Sequence, residues 1–337
     1  MRIALDAMGG DHAPRVTVAG AIEALREAPG RIRELILVGP ESLLRAEVDR
    51  LGGGDLPLRI VDAPEVIGME EGPAAAVKAK ARSSIVVGLT LHARGEADAF
   101  VSAGNTGAVM AASLFVLGRI EGVARPSIGA YLPGPEGFSF LLDVGANVDC
   151  RPEHLVQFAH MGRIFVERIL GRANPRVALL NIGEEASKGN ELSKQAYALL
   201  GRDPGLRFVG NVEGGDLLQN RADVIVCDGF VGNVVLKFGE SFAEVLERLV
   251  RIRLDARSLG GETLGGLGAI LGELRALFDY EHYGGVPLLG VNGVVIIGHG
   301  RSTARAICRM LWRAEEMVRL EVNRHIAEAL RALGVSS

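Results

Sequence analysis

The sequence predicts an α/β protein with a mostly parallel sheet and helices on both faces. Three observations carry the prediction. Short β-branched runs alternate along the chain with amphipathic helical patterns. The 337 residues are 48% hydrophobic and 23% charged, the balance of a folded chain rather than a disordered one. Polar, glycine-bearing turns follow the strand-like runs, where open parallel sheets bind ligands.

Ile3 to Asp6 reads as the first strand. Val16 to Glu27 reads as a helix, because Val18, Ile22 and Leu25 share one face. Leu35 to Val38 is a strand, Glu41 to Leu51 a helix and Leu58 to Asp62 a strand. The rhythm resumes with a strand at Ala99 to Val101 and a helix at Thr106 to Leu117. Ser127 to Leu132 and Phe138 to Asp143 are strands joined by a turn of Pro and Gly. Val177 to Asn181, Arg207 to Val212 and Val224 to Cys227 follow as strands with helices between them. Val294 to Ile297 is the last strand. Long helices are expected over Asn233 to Arg253 and over Ser302 to Leu330. No repeat, low-complexity tract or polar linker marks a boundary, so 1–337 is expected to be one domain.

Composition excludes several classes. A formal net charge of −4 supplies no global field for nucleic acid. The N-terminus, interrupted by Asp6 and Asp11, is not a secretory signal. The least charged stretch, Tyr283 to Gly298, is too short to span a bilayer. Cys150, Cys227 and Cys308 lie far apart without metal spacing, which suggests reduced thiols in a cytoplasmic protein. The seven histidines show no metal-binding spacing, and no metal or cofactor is expected.

Six strand ends run into turns that combine glycine with Asp, Asn, Ser or Thr. They begin at Asp6, Ser102, Asp143, Asn181, Asp228 and Gly298. Glycine lets backbone approach a ligand closely, and a turn that opens a helix presents N–H groups to an anion. All six are expected on one rim of the sheet, forming an anion cleft. No dinucleotide fingerprint follows the first strand, and no phosphate-binding P-loop is present. No nucleophile elbow occurs either, and Cys150 has only His154 nearby. The chemistry left is one in which the bound anion is itself the nucleophile.

Several segments, taken together, are similar to the PlsX family of phosphate acyltransferases. They are DAMGGDHAP at the N-terminus, SAGNTGA at 102–108, DVGANVDC at 143–150, NIGEEASKGNE at 181–191, GFVGNVVLK at 229–237, and YGGVPLLG with HGRS within 283–302. The resemblance covers essentially the whole chain. It implies a fold like that of the isocitrate/isopropylmalate dehydrogenase and phosphotransacetylase group. It also implies conversion of acyl-ACP (acyl carrier protein) and inorganic phosphate to acyl phosphate and free ACP, feeding phospholipid synthesis. Family members are dimers that associate peripherally with the inner membrane face.

On this reading the phosphate and substrate contacts come from Asp6, Gly9, Gly10, Asp11, Ser102, Gly104, Thr106, Asp143, Asn147, Asn181, Glu184, Asn190, Asn233 and Ser302. Lys188 anchors phosphate or protonates the departing thiolate. His299 is a second acid or base. Asn105, with Asn147 or the backbone N–H groups from Gly104 to Thr106, is a donor to the developing oxyanion. The three aspartates orient these donors or, alternatively, hold a divalent ion. ACP is acidic, so Arg305, Arg309 and Arg313, in line with Arg301, are one expected dock. Arg248 and Arg251 belong to a second. Within 254–278, Leu264, Leu267 and Leu271 share an apolar face expected at lipid or at a dimer contact. Three other readings compete: a phosphotransacetylase-like transferase using acyl-CoA, a non-enzymatic membrane scaffold that binds ACP, and a dehydrogenase.

Overall fold

The computed structural model describes residues 1–255, 272 and 283–332. In chain order it begins β1 (Arg2–Asp6), α1 (Arg15–Glu27), β2 (Glu34–Gly39), α2 (Glu41–Arg50) and β3 (Leu58–Asp62). Helices α3 (Pro73–Ala79) and α4 (Ser84–Ala93) lead to β4 (Ala99–Ser102) and α5 (Thr106–Val116). The hairpin β5 (Ser127–Gly134) and β6 (Gly137–Leu142) precedes α6 (Pro152–Ile169), β7 (Arg176–Leu180), α7 (Glu191–Leu200), β8 (Arg207–Val212) and β9 (Val224–Val226). The long α8 (Gly229–Asp255) follows. Beyond the undescribed stretch come β10 (Val286–Leu289), β11 (Val294–Ile297), α9 (Ala304–Arg319) and α10 (Val322–Ala332).

Among the described residues one 11-stranded sheet joins the strands in the order β3-β2-β1-β4-β11-β10-β5-β6-β9-β7-β8. Period-2 alternation sends side chains to two layers. Ile3 and Leu5 of β1 enter one apolar cluster with α1, α6 and α9, whereas Ala4 enters the other with α4 and α5. Helices therefore cover both faces, as the sequence predicts.

Direction within the sheet corrects the expected single rim. The first five strands in this order run parallel to one another. The pairings β11–β10, β10–β5 and β5–β6 are all antiparallel, after which β6, β9, β7 and β8 are again mutually parallel. Three reversals leave the second half pointing against the first. The turns after β1, β4 and β11 thus share one edge of the sheet, and those after β6, β7 and β9 share the opposite edge.

Two further differences concern elements. The expected helix over Ser302 to Leu330 is two helices, broken where Glu321 takes a left-handed φ of 51°. The strand β10 is not anticipated from the sequence; Gly284 and Gly285, both at positive φ, turn the chain into it. Among the described residues no helix is long and apolar enough to cross a membrane.

Candidate active site

At the first edge, three turns are latched together. The buried Asp6 carboxylate accepts the Ser102 hydroxyl at 2.7 Å and the Met8 N–H at 3.1 Å. Ser102 Oγ in turn accepts the Gly104 N–H at 3.0 Å. A Cβ on Gly9 would sit 2.6 Å from Asp6 Oδ2 and 2.7 Å from Gly104 N, so only glycine closes this contact. The Asp11 N–H donates to the Gly300 carbonyl at 2.7 Å, and a Cβ on Gly10 would meet that same oxygen. Burial pushes the Asp6 carboxyl above the usual carboxylate range, despite the hydrogen bonds that oppose the shift. Its role here is to fasten turns.

Asn105 caps α5. Its Oδ1 accepts the Ala108 N–H, and its Nδ2 donates to the carbonyls of Gly68, Met69 and Glu71 at 3.0–3.3 Å. This corrects the expectation of an Asn105 oxyanion donor, because the amide hydrogens are committed to the loop after β3. The first-turn N–H groups of Thr106 and Gly107 have no helical acceptor and present the positive end of the α5 dipole.

The second edge repeats the device. Asp143 is fully buried, and its oxygens accept from Ser127 Oγ, Ile128 N, Ala146 N, Asn147 N and Asn147 Nδ2. Burial raises its pKa as well. Asn147 Nδ2 also donates to the Pro126 carbonyl at 2.7 Å, so this amide too is spent on structure. Both carboxylates accept from N–H and O–H donors, Asp143 from five of them. Among the described residues, Glu23, Glu27 and Cys308 come together, but the Arg305 guanidinium occupies that group at 2.6–2.7 Å.

The turn after β7 lies on the second edge, two strands along from Asp143. Asn181 Nδ2 holds the Lys188 carbonyl at 3.2 Å, and Asn190 caps α7 through the Ser193 N–H. Glu184 pairs with Arg221 at 2.6 Å. The exposed Lys188 lays its aliphatic stem over Gly183. It is not among the residues that line the cleft.

That cleft, about 540 Å³, crosses the seam between the halves on the face carrying α5 and α8. Its polar lining includes Asp11, Thr106, Asn233, Lys237, Glu240, His299 and Arg301, with Tyr131 and Tyr283 beside them. Met69, Met110, Ile128, Ala130, Val144, Leu236 and Val286 supply the apolar part. On α8 the lining residues Asn233, Lys237 and Glu240 recur every three or four positions and so share one face. Ser302 is buried just behind the last turn, its N–H bonded to the His299 carbonyl. Five of the six turns supply residues at or just beyond this cleft, gathered from opposite edges of the sheet, and the turn after β7 supplies none. Lys237 and Met110 escape the sequence reading, although each stands four residues after a residue it names, Asn233 and Thr106. A larger cavity of about 890 Å³ lies at the other end of β11, beside Asn292, Glu321 and Asn323, and contains none of the expected site residues.

The expected basic dock is partly consumed within the chain. Arg305 is held by Glu23 and Glu27 and lies over Trp312, and Arg313 bonds Glu316 and the Tyr283 carbonyl. Arg309 is half-buried and Arg248 is exposed on α8. The Arg251 side chain, with Leu264, Leu267 and Leu271, lies outside the described residues. Burial pushes the Cys150 thiol up to about 12, a direction that disfavours its thiolate.

Comparison with known proteins settles the family. The model of the family described as "Fatty acid synthesis protein" matches residues 1–325. The chain belongs to this family. It is 51% identical over 332 residues to a phosphate acyltransferase of Salinibacter ruber, covering 98% of each chain. It is 53% identical over 324 residues to a phosphate acyltransferase of Heliobacterium modesticaldum, covering 94% of each. Both are relatives of the kind that the PlsX motifs indicate. Among solved structures, a phosphotransacetylase from Streptococcus pyogenes superposes with a TM-score of 0.64 at 19% identity, over 95% of this chain and 94% of that one. A branched-chain phosphotransacylase from Enterococcus faecalis gives 0.57 at 16%, over 94% and 99%. These two likenesses show the fold, and it is the one the resemblance implies.

Proposed function

We propose that this family member transfers a fatty acyl group from the thioester of ACP to inorganic phosphate, giving acyl phosphate and free ACP. The observation that carries the reading is a cleft that sets anion donors beside an apolar trench without an activated nucleophile. The full-length relatives named phosphate acyltransferase support it.

Phosphate sits against the α5 N-terminus and the turn at 298–301, balanced by Lys237 and Arg301. One of its oxygens attacks the thioester carbon, a C–O bond forms, and the C–S bond breaks. The thiolate takes a proton from His299 or Lys188, Lys188 approaching from the edge that also carries Asn233, and that group regains it from the attacking hydrogen phosphate. Positioning of this kind contributes about 7–11 kcal/mol, and a donor at the oxyanion about 2.7–4 kcal/mol. Thr106 and Gly107 N–H groups take the place of the Asn105 amide in that role.

ACP docks through arginines, with the exposed Arg248 and the half-buried Arg309 as the contacts to test. The outer face of α8 supports a homodimer. Phe238, Phe242, Val245, Leu249 and Ile252 are exposed, and their 4-3-4-3 spacing is that of a coiled-coil seam. In this reading residues 254–278 make the peripheral contact with the inner membrane face or with a partner subunit.

The test is incubation of acyl-ACP with and without phosphate, following free thiol and acyl phosphate together. Phosphate-dependent appearance of both is expected, with acyl-ACP a better donor than acyl-CoA. Thiol release that ignores phosphate, or an acyl-enzyme adduct on the turnover path, overturns the mechanism.

A further inference from the structure

The trench between α5 and α8 has an apolar floor with polar groups at both ends, and Lys237 stands beside Leu236 on the α8 wall. Helices α5 and α8 start from opposite edges of the sheet, since β4 and β9 run in opposite directions. Thr106 therefore marks one end and Asn233 the other. One turn inward from each stand Met110 and Leu236, on facing walls. The floor between them is Ile128 and Ala130 of β5, 4% and 2% exposed. Strand alternation puts both side chains on this face, while Gly129 between them backs onto Phe140 in the other layer.

We propose that this apolar middle seats the acyl chain and that Ala130 and Met110 set the chain length accepted. The inference rests on the acyl-transfer reading above and names its selectivity. An acyl chain leaving a carbonyl at the anion donors enters an apolar floor before polar groups return at the far end. Ala130 is the smaller side chain of that floor, and Met110 is the long, adaptable side chain of the α5 wall. Each methylene withdrawn from water changes affinity by about fourfold, so a change of floor depth by a few carbons is readily measured.

The experiment measures kcat/KM for acyl-ACP donors from octanoyl to stearoyl in the wild type, Ala130→Leu and Met110→Ala. A thermal melt confirms that each variant is folded. Ala130→Leu is expected to lower the longest-to-shortest ratio by about tenfold or more, and Met110→Ala to raise it. The KM for phosphate stays unchanged in both. Equal scaling of all donors in both variants overturns the proposal. Failure of the parent reading is seen separately, as a wild type that makes no acyl phosphate from any donor. Calorimetric binding of free fatty acids of the same lengths then decides: opposite shifts in the two variants uphold the trench, and unshifted profiles reject it.

Discussion

Asp6 and Asp143 do the same work at opposite edges, each drawing serine and backbone donors around a buried carboxylate. Asn at 143 would set an NH2 group against donors that now meet an oxygen. Asp143→Asn is expected to lower stability by about 1–3 kcal/mol, read as a shifted denaturant midpoint, with loss of turnover. A different outcome is expected at the cleft cations. Lys237→Ala should leave stability unchanged and raise the KM for phosphate by about 10–100-fold, the worth of one hydrogen bond to a charged group. Lys188→Ala is expected to act on kcat instead, a contrast steady-state kinetics resolves. The aspartates and glycines are legible in the sequence because turn residues carry local signals. Nothing local says that the Asn105 hydrogens are taken up by carbonyls more than thirty residues earlier.

Helix α6 is tied to the turn after α7 by a buried pair, His160 Nε2 to Asp203 Oδ2 at 2.7 Å. Burial is the largest influence on His160 and holds its pKa below the usual imidazole value, although Asp203 opposes the shift. The unfolded chain then binds the proton first. Stability from this group is complete above about pH 6.5 and is lost as pH falls from there through the folded value. Melting temperatures between neutral and mildly acidic pH should show that slope, and His160→Gln should flatten it. At this scale the sequence is informative wherever periodicity runs long, as over α1, α5 and α8. It is silent at Glu321, where a non-glycine residue at positive φ splits one apparent helix into two.

Across the whole molecule, the outer seam of α8 carries its own expectation. Phe242→Glu combined with Leu249→Glu should convert a dimer to monomers in sedimentation velocity while thiol release per chain reports any effect on the cleft. Fold class is readable from the alternation of strands and helices, but the number of reversals is not. A hairpin at 127–143 is visible in the sequence; that β10 inserts beside it and makes the reversals three is a matter of long-range pairing. The same insertion bears on how the protein is made. Strand β4 finds its partner β11 only after the chain has traversed the entire second half, Ala99 pairing with Val294. During synthesis the early strands therefore wait with an open edge until the C-terminal segment leaves the ribosome, and such waiting slows folding and invites mispairing. The cleft can close only as the last-made strands dock, so a nascent chain halted before residue 283 would lack the part of its lining that runs from Tyr283 to Arg301.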